Sequence, residues 1–161
     1  MKPPPFPNYP PVPETFGELQ EVFGVFTFRD GPGATIVPDR RWVRENIVRS
    51  TNIPGVPWRI VCHRKLTVVI VGLFIELKNQ QLIRKIRSYD GCYVPRRKMN
   101  NPDNSLSVHS WGIALDFNAK TNMPGTPGDI SDDLIRLFCR HGFYWGGNFG
   151  DPMHFQYVTG Y

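Results

Sequence analysis

Ser107-Val108-His109-Ser110-Trp111-Gly112-Ile113-Ala114-Leu115-Asp116-Phe117-Asn118 decides the fold. From Trp111 onward the stretch alternates. Ile113, Leu115 and Phe117 share one face, and Gly112, Ala114 and Asp116 share the other. One face is apolar. The other carries small residues around a carboxylate, which leaves open space above it. A second strand is expected over His154-Phe155-Gln156-Tyr157-Val158, with His154 and Gln156 on one face and Phe155 and Tyr157 on the other.

His109 stands seven residues before Asp116, and Asp151-Pro152-Met153-His154-Phe155 supplies a second histidine. Two imidazoles and one carboxylate make a three-ligand set with an open fourth position, the arrangement a catalytic zinc needs. His109, Asp116 and His154 are therefore the candidate metal ligands, for one Zn²⁺ per chain. Asp151 lies three residues before the last of them, where a general base would stand. In a regular strand positions 151 and 154 would face opposite sides. Pro152 lacks an N–H and restrains Asp151, so a turn is expected that brings the carboxylate back beside the site.

Outward from these strands, helical spacing covers residues 63 to 79 through Leu66, Val69, Ile70, Leu73, Phe74 and Leu77. Asp129 and Ser131 offer N-caps for a helix through Asp132–Arg140, with Gly142 as its stop and His141 as a structural cation favouring its dipole. Phe23–Phe28 reads as a short strand before the Asp30-Gly31-Pro32-Gly33 turn. Leu82–Tyr89 reads as a strand leading into an Asp90-Gly91 turn. Trp42 and Ile47 are expected to cover part of the core. The sum is an α+β fold: a small antiparallel sheet with helices packed against it and the zinc site in a cleft on the sheet.

Seven of the first thirteen residues are proline, so residues 1–16 are expected to form an extended arm, loose or draped over the domain. Residues 17–161 then form a single catalytic domain, a length that suits one core. The net charge of +5 favours anionic partners. No nucleic-acid motif accompanies it, so nucleic acid is not expected as a partner. Cys62, Cys92 and Cys139 are odd in number and form no CxxC pair, which points to reduced, mostly buried thiols and folding in a cytoplasm. Met1-Lys2-Pro3-Pro4-Pro5-Phe6 lacks the apolar core of a secretory signal, and the run from Val68 to Ile75 is too short to span a bilayer. A soluble monomer with no membrane insertion is expected, made in the cytoplasm and needing release or a phage particle to reach a cell wall.

The pattern Ser-x-His-x-x-Gly-x-Ala-x-Asp at 107–116, followed by acid-x-x-His at 151–154, resembles a zinc peptidase family. Its members are D-alanyl-D-alanine carboxypeptidases and L-alanyl-D-glutamate endopeptidases, which cut peptidoglycan stem peptides. The closer resemblance is to the phage-endolysin and small endopeptidase branch, through Asp151-Pro152-Met153-His154-Phe155 and the preceding His141-Gly142-Phe143-Tyr144-Trp145-Gly146-Gly147. Gly91-Cys92-Tyr93-Val94-Pro95-Arg96 is similar to a segment before the first histidine. The resemblance spans residues 83 to 158. It implies zinc ligands at His109, Asp116 and His154 and a general base at Asp151. It also implies a cation at Arg96 that stabilises the oxyanion or holds a substrate carboxylate, with Arg97 as a competitor.

Three functions follow. The first is a peptidase of stem peptides, with the branch resemblance favouring an L-alanyl-D-glutamate endopeptidase over a D-alanyl-D-alanine carboxypeptidase. The second is Fe(II) chemistry on the same two-histidine, one-carboxylate triad, against which the surrounding motif argues. The third is a non-catalytic module that keeps zinc for structure. Ser107 reads as a loop-shaping residue, since no His–Asp pair is free to activate it. Trp111 and Trp145 suit either a groove or the core.

Overall fold

The computed structural model describes residues 1–51, 53 and 55–161. Helix α1 (Phe16–Phe23) starts where the Thr15 hydroxyl accepts the Glu18 N–H, and it buries Leu19, Val22 and Phe23 on one face. Strands β1 (Phe28–Asp30) and β2 (Ile36–Pro38) form a hairpin around a turn closed by Gly31 N–H to Thr35 O. Asp39 caps α2 (Arg40–Asn46), which turns Trp42 inward. Strands β3 (Ile47–Thr51) and β4 (Ile60–His63) pair antiparallel. Helix α3 (Thr67–Asn79) follows, burying Val69, Ile70, Leu73, Phe74 and Leu77 at helical spacing. Each of those side chains contributes about 1.5–3 kcal/mol of burial.

The sheet that carries the site is built last. Strands β5 (Tyr89–Gly91), β6 (Ala114–Phe117), β7 (Tyr144–Trp145) and β8 (His154–Gln156) lie in the order β5-β6-β8-β7, all antiparallel. Helix α4 (Asp132–Arg140) precedes β7 and buries Leu134, Leu137 and Phe138. Phe138 packs on Phe155 with ring centroids 4.2 Å apart. The fold is α+β, as the patterns predict. Among the described residues no helix is long and apolar enough to cross a membrane.

Two expected strands take other forms. Phe23 ends α1, and the strand begins only at Phe28, because the Thr15 cap and the Leu19–Val22–Phe23 stripe commit the chain to helix first. Over 82–89 a single 3-10 turn forms at Ile83–Lys85, and Asp90 and Gly91 lie in β5 rather than in a turn. The cause is Asn118. Its side-chain oxygen accepts the N–H groups of Arg87 and Ser88, and its amide donates to Lys85 O, so these groups bond a side chain instead of a neighbouring strand.

The proline-rich segment packs against the rest of the fold. Lys2 and Val12 bridge each other, Tyr157 donates its hydroxyl to Pro10 O at 2.8 Å, and Tyr9 meets His141 Nδ1 at 2.7 Å. His141 is buried and also contacts Glu76 at 2.8 Å. Burial, with Arg140 adjacent, pushes its pKa down to about 4. It is therefore a neutral linker between arm and helix, not the cation at a helix end that its position suggests.

His63 is fully buried at the end of β4. Its Nε2–H donates to Phe23 O and its Nδ1 accepts the Lys65 N–H, both at 3.1 Å, which only a neutral ring can do. Burial first, then Lys65 and Arg64, push its pKa down to about 4 against the pull of the Phe23 carbonyl. A histidine with a depressed folded pKa stabilises fully above its unfolded value near 6.5 and loses that contribution as pH falls towards 4. We expect a loss of about 3 kcal/mol across that window. Urea unfolding at stepped pH, with the His63 ring followed by NMR, checks it. A His63 midpoint near 6.5 would refute it.

Candidate metal centre

Strands β6 and β8 place Asp116 directly opposite His154 in the ladder. His109 comes from the 3-10 turn Val108–Trp111, which Ser107 caps by accepting the His109 N–H. That turn ends at Gly112, whose φ of 66° is left-handed. A Cβ there would stand 2.9 Å from His63 N, so only glycine fits. The turn therefore folds back tightly enough to set His109 over the sheet.

One ligand atom from each of His109, Asp116 and His154 lies within 4.8 Å of the others, and all three residues are buried. His154 Nδ1 is 2.9 Å from Asp116 Oδ1, His109 Nε2 is 3.1 Å from Asp116 Oδ2, and the two ring nitrogens are 3.2 Å apart. A tetrahedral zinc with bonds near 2.0–2.1 Å has ligand–ligand edges of about 3.3 Å. The protonation pattern points the same way. His109 Nδ1 faces Cys92 O at 2.8 Å, and His154 Nε2 faces Gln156 Oε1 at 3.0 Å. Both partners are acceptors. The Gln156 amide nitrogen donates to Val158 O and Tyr161 O, which fixes its oxygen towards the histidine. With a metal bound, each ring would keep its proton on the outward nitrogen and turn a lone pair inward, beside the carboxylate. Two lone pairs and an anion at such distances call for a cation, and the residues present fit a divalent metal. Without a metal the inward nitrogens can instead donate to Asp116; burial disfavours its anion, but these hydrogen bonds from His109 and His154 outweigh it and hold its carboxyl well below the usual range. Burial likewise opposes charge on His154, and Asp116 outweighs it and raises its pKa.

Asp151 lies in the turn ahead of β8, where His154 N–H donates to Asp151 O and Asp151 N–H to Gly146 O. A Cβ on Gly146 would come within 2.4 Å of Asp151 O and 2.8 Å of His154 Cβ, so this turn needs glycine at 146. Trp145 braces it by donating Nε1–H to Pro152 O at 2.8 Å. Asp151 Oδ1 is buried with no hydrogen-bond partner. Burial raises its pKa and Asp116 adds to this, while His154, His109 and Arg96 oppose it. Both histidines, Asp151 and Arg96 line one cleft of about 690 Å³. Arg96 is held by Ser110, whose hydroxyl accepts the Arg96 N–H and donates to Arg96 O. Arg97 points elsewhere, to Asp30 at 2.8 Å. Trp111 is buried in the core and donates to Gly24 O.

Sequence reasoning placed Gln156 on the His154 face but gave it no task. A polar residue at i+2 from a ligand on a buried strand is the signal that marks it. Gln156→Leu keeps all three ligands and removes the outer acceptor. We expect zinc affinity to fall about 10–100-fold, read by competition with a chelating dye. An affinity equal to wild type would show that the amide does not set the tautomer.

The family model described as D-alanyl-D-alanine carboxypeptidase matches residues 100–157. The matched stretch holds His109, Asp116, Asp151 and His154, and it begins after Arg96. No curated protein and no solved structure matches the chain. Over residues 100–157 the protein is thus similar to a family of zinc peptidases, and its metal-binding geometry falls within that stretch.

Proposed function

We propose that the protein is a zinc-dependent peptidase that hydrolyses peptide bonds in peptidoglycan stem peptides, as an endopeptidase of the L-alanyl-D-glutamate type found in phage lysins and wall-remodelling enzymes. The observation that carries this reading is the convergence of His109, Asp116 and His154, with both histidines lining one cleft together with Asp151, whose Oδ1 has no partner. Residues 17–161 form the catalytic domain in this reading, and residues 1–16 its arm.

Zinc held by His109 Nε2, His154 Nδ1 and Asp116 would supply Lewis acidity and make a water more acidic. The protein does the rest. Asp151 Oδ1 takes a proton from the attacking water and passes it to the leaving amine nitrogen. Its raised pKa brings it nearer to neutrality, which suits a group that must both accept and release a proton. The Arg96 guanidinium faces the negative charge that develops on the carbonyl oxygen. The family description supports a second reading, a D-alanyl-D-alanine carboxypeptidase, with the same groups in the same tasks.

Digestion of purified peptidoglycan, with and without a chelator, tests the proposal. Zinc-restored release of new amino termini supports it, and mass spectrometry separates the two readings. A free glutamate amine marks the endopeptidase, and free terminal alanine marks the carboxypeptidase. Metal analysis of the purified protein separates zinc from iron. Metal-loaded, folded protein that cleaves nothing would overturn the peptidase reading.

A further inference from the structure

Two cations line the cleft, and they are held differently. Ser110 fixes the Arg96 backbone, the guanidinium donates to Arg97 O at 3.3 Å, and its charge reaches Asp151. Lys98 rests its ammonium over the Tyr161 ring, 3.6 Å from the centroid. Among the described residues no carboxylate pairs with it. Both parts of this contact are anchored. Tyr161 donates its hydroxyl to Leu106 O at 2.8 Å, its backbone carbonyl accepts from Gln156, and Phe16 stacks on its ring at 4.7 Å. Lys98 N–H donates to Ser105 O at 2.9 Å, and Lys98 O accepts from Asn101 N and Asn104 Nδ2. The following residues Met99 and Asn100 both hold positive φ, 55° and 51°; asparagine adopts this region readily, whereas methionine keeps it only when the surroundings impose it.

A charge on so fixed a mount is placed for something. An aromatic face attracts an ammonium but does not neutralise it. Burial already disfavours the charged form of Lys98, so a half-buried lysine without a counter-ion is a poor stabiliser of the fold. It is a good acceptor site for an anion that enters the cleft. We propose that Lys98 is a specificity-determining residue that binds a free carboxylate of the substrate peptide. The proposal names the substrate chemistry of the same cleft and rests on the stem-peptide reading. Arg96 is left to the reacting carbonyl, and Lys98 selects anionic peptides over amidated ones.

A stem pentapeptide with lysine at its third position offers two such carboxylates: the α-carboxylate of the γ-linked D-glutamyl residue and the terminal carboxylate of the last alanine. The test uses a synthetic stem pentapeptide in three forms: both carboxylates free, the first converted to its amide, and the second converted to its amide. Dissociation constants are measured by calorimetry or NMR titration on chelator-treated, metal-free protein, so the readout does not depend on turnover. One amidation should weaken binding about tenfold or more, and which one does so identifies the source. Lys98→Met, which keeps the stem over Tyr161, should erase the difference, and Lys98→Arg should keep most of it. Should Lys98→Met fail to fold, the wild-type peptide series and Lys98→Arg still decide the matter. Equal affinity for all three forms, or a preference that survives in Lys98→Met, would overturn the proposal. Cleavage of the same peptides after zinc loading reports separately on the peptidase reading, which can fail while the carboxylate preference stands.

Discussion

Asp151→Asn is expected to lower kcat about 10²–10⁴-fold while leaving metal content and fold unchanged. The amide matches the carboxylate in size, and Asp151 Oδ1 makes no hydrogen bond that folding would lose. The raised pKa shows that the charged carboxylate is held at a cost, so the neutral amide should leave the melting temperature equal or higher. A drop in activity without a drop in stability is the signature of a group retained for chemistry. Steady-state kinetics on a stem peptide, zinc analysis and a thermal melt check it together. Full activity in the variant would remove Asp151 from the mechanism and revive the reading of a zinc-keeping module whose turnover arises elsewhere.

His154→Ala carries the second large effect, and it falls on metal binding first. The variant loses one of three donors, and Asp116 loses its hydrogen bond at 2.9 Å. Gln156 Oε1 loses its donor as well, in a strand that is buried at every position. Activity is expected to fall to background. The metal-free variant should be less stable by about 2–4 kcal/mol, from a cavity and two stranded acceptors. Wild type should gain about 4 kcal/mol from zinc at a thousand times its dissociation constant, and the variant should gain almost nothing. Paired melts with zinc and with chelator read both numbers. An equal zinc shift in the two proteins would mean that the metal binds elsewhere.

Much of this was legible in the sequence because it depends on short-range periodicity. The stripes of α3 and α4 are properties of consecutive residues, and the structure places them as the spacing predicts, while the alternation from Trp111 becomes strand only at Ala114–Phe117, where all four residues are buried. The turn before β8 was legible for the same reason, since Pro152 forbids a regular strand. What escaped depends on side chains from far along the chain. Asn118 takes the backbone groups of 85–88, so the apolar run there never becomes a strand. Which nitrogen each histidine turns inward depends on the Cys92 carbonyl and on Gln156, and no spacing rule reports a backbone carbonyl. The Lys98–Tyr161 contact joins a loop to a residue 63 positions later and has no local pattern at all.

The packing of the proline-rich segment has a consequence for the order of events during synthesis. Tyr9 meets a partner 132 residues later and Pro10 one 147 residues later. Contacts of such separation form late, because the loop they close must be ordered first. During synthesis Tyr9 and Pro10 therefore lack these two partners until His141 and Tyr157 have left the ribosome. Strand β8 also carries His154 of the candidate metal centre. His154 lies between His141 and Tyr157 in the sequence, so the last ligand of the candidate metal centre becomes available to the chain along with the partners of Tyr9 and Pro10.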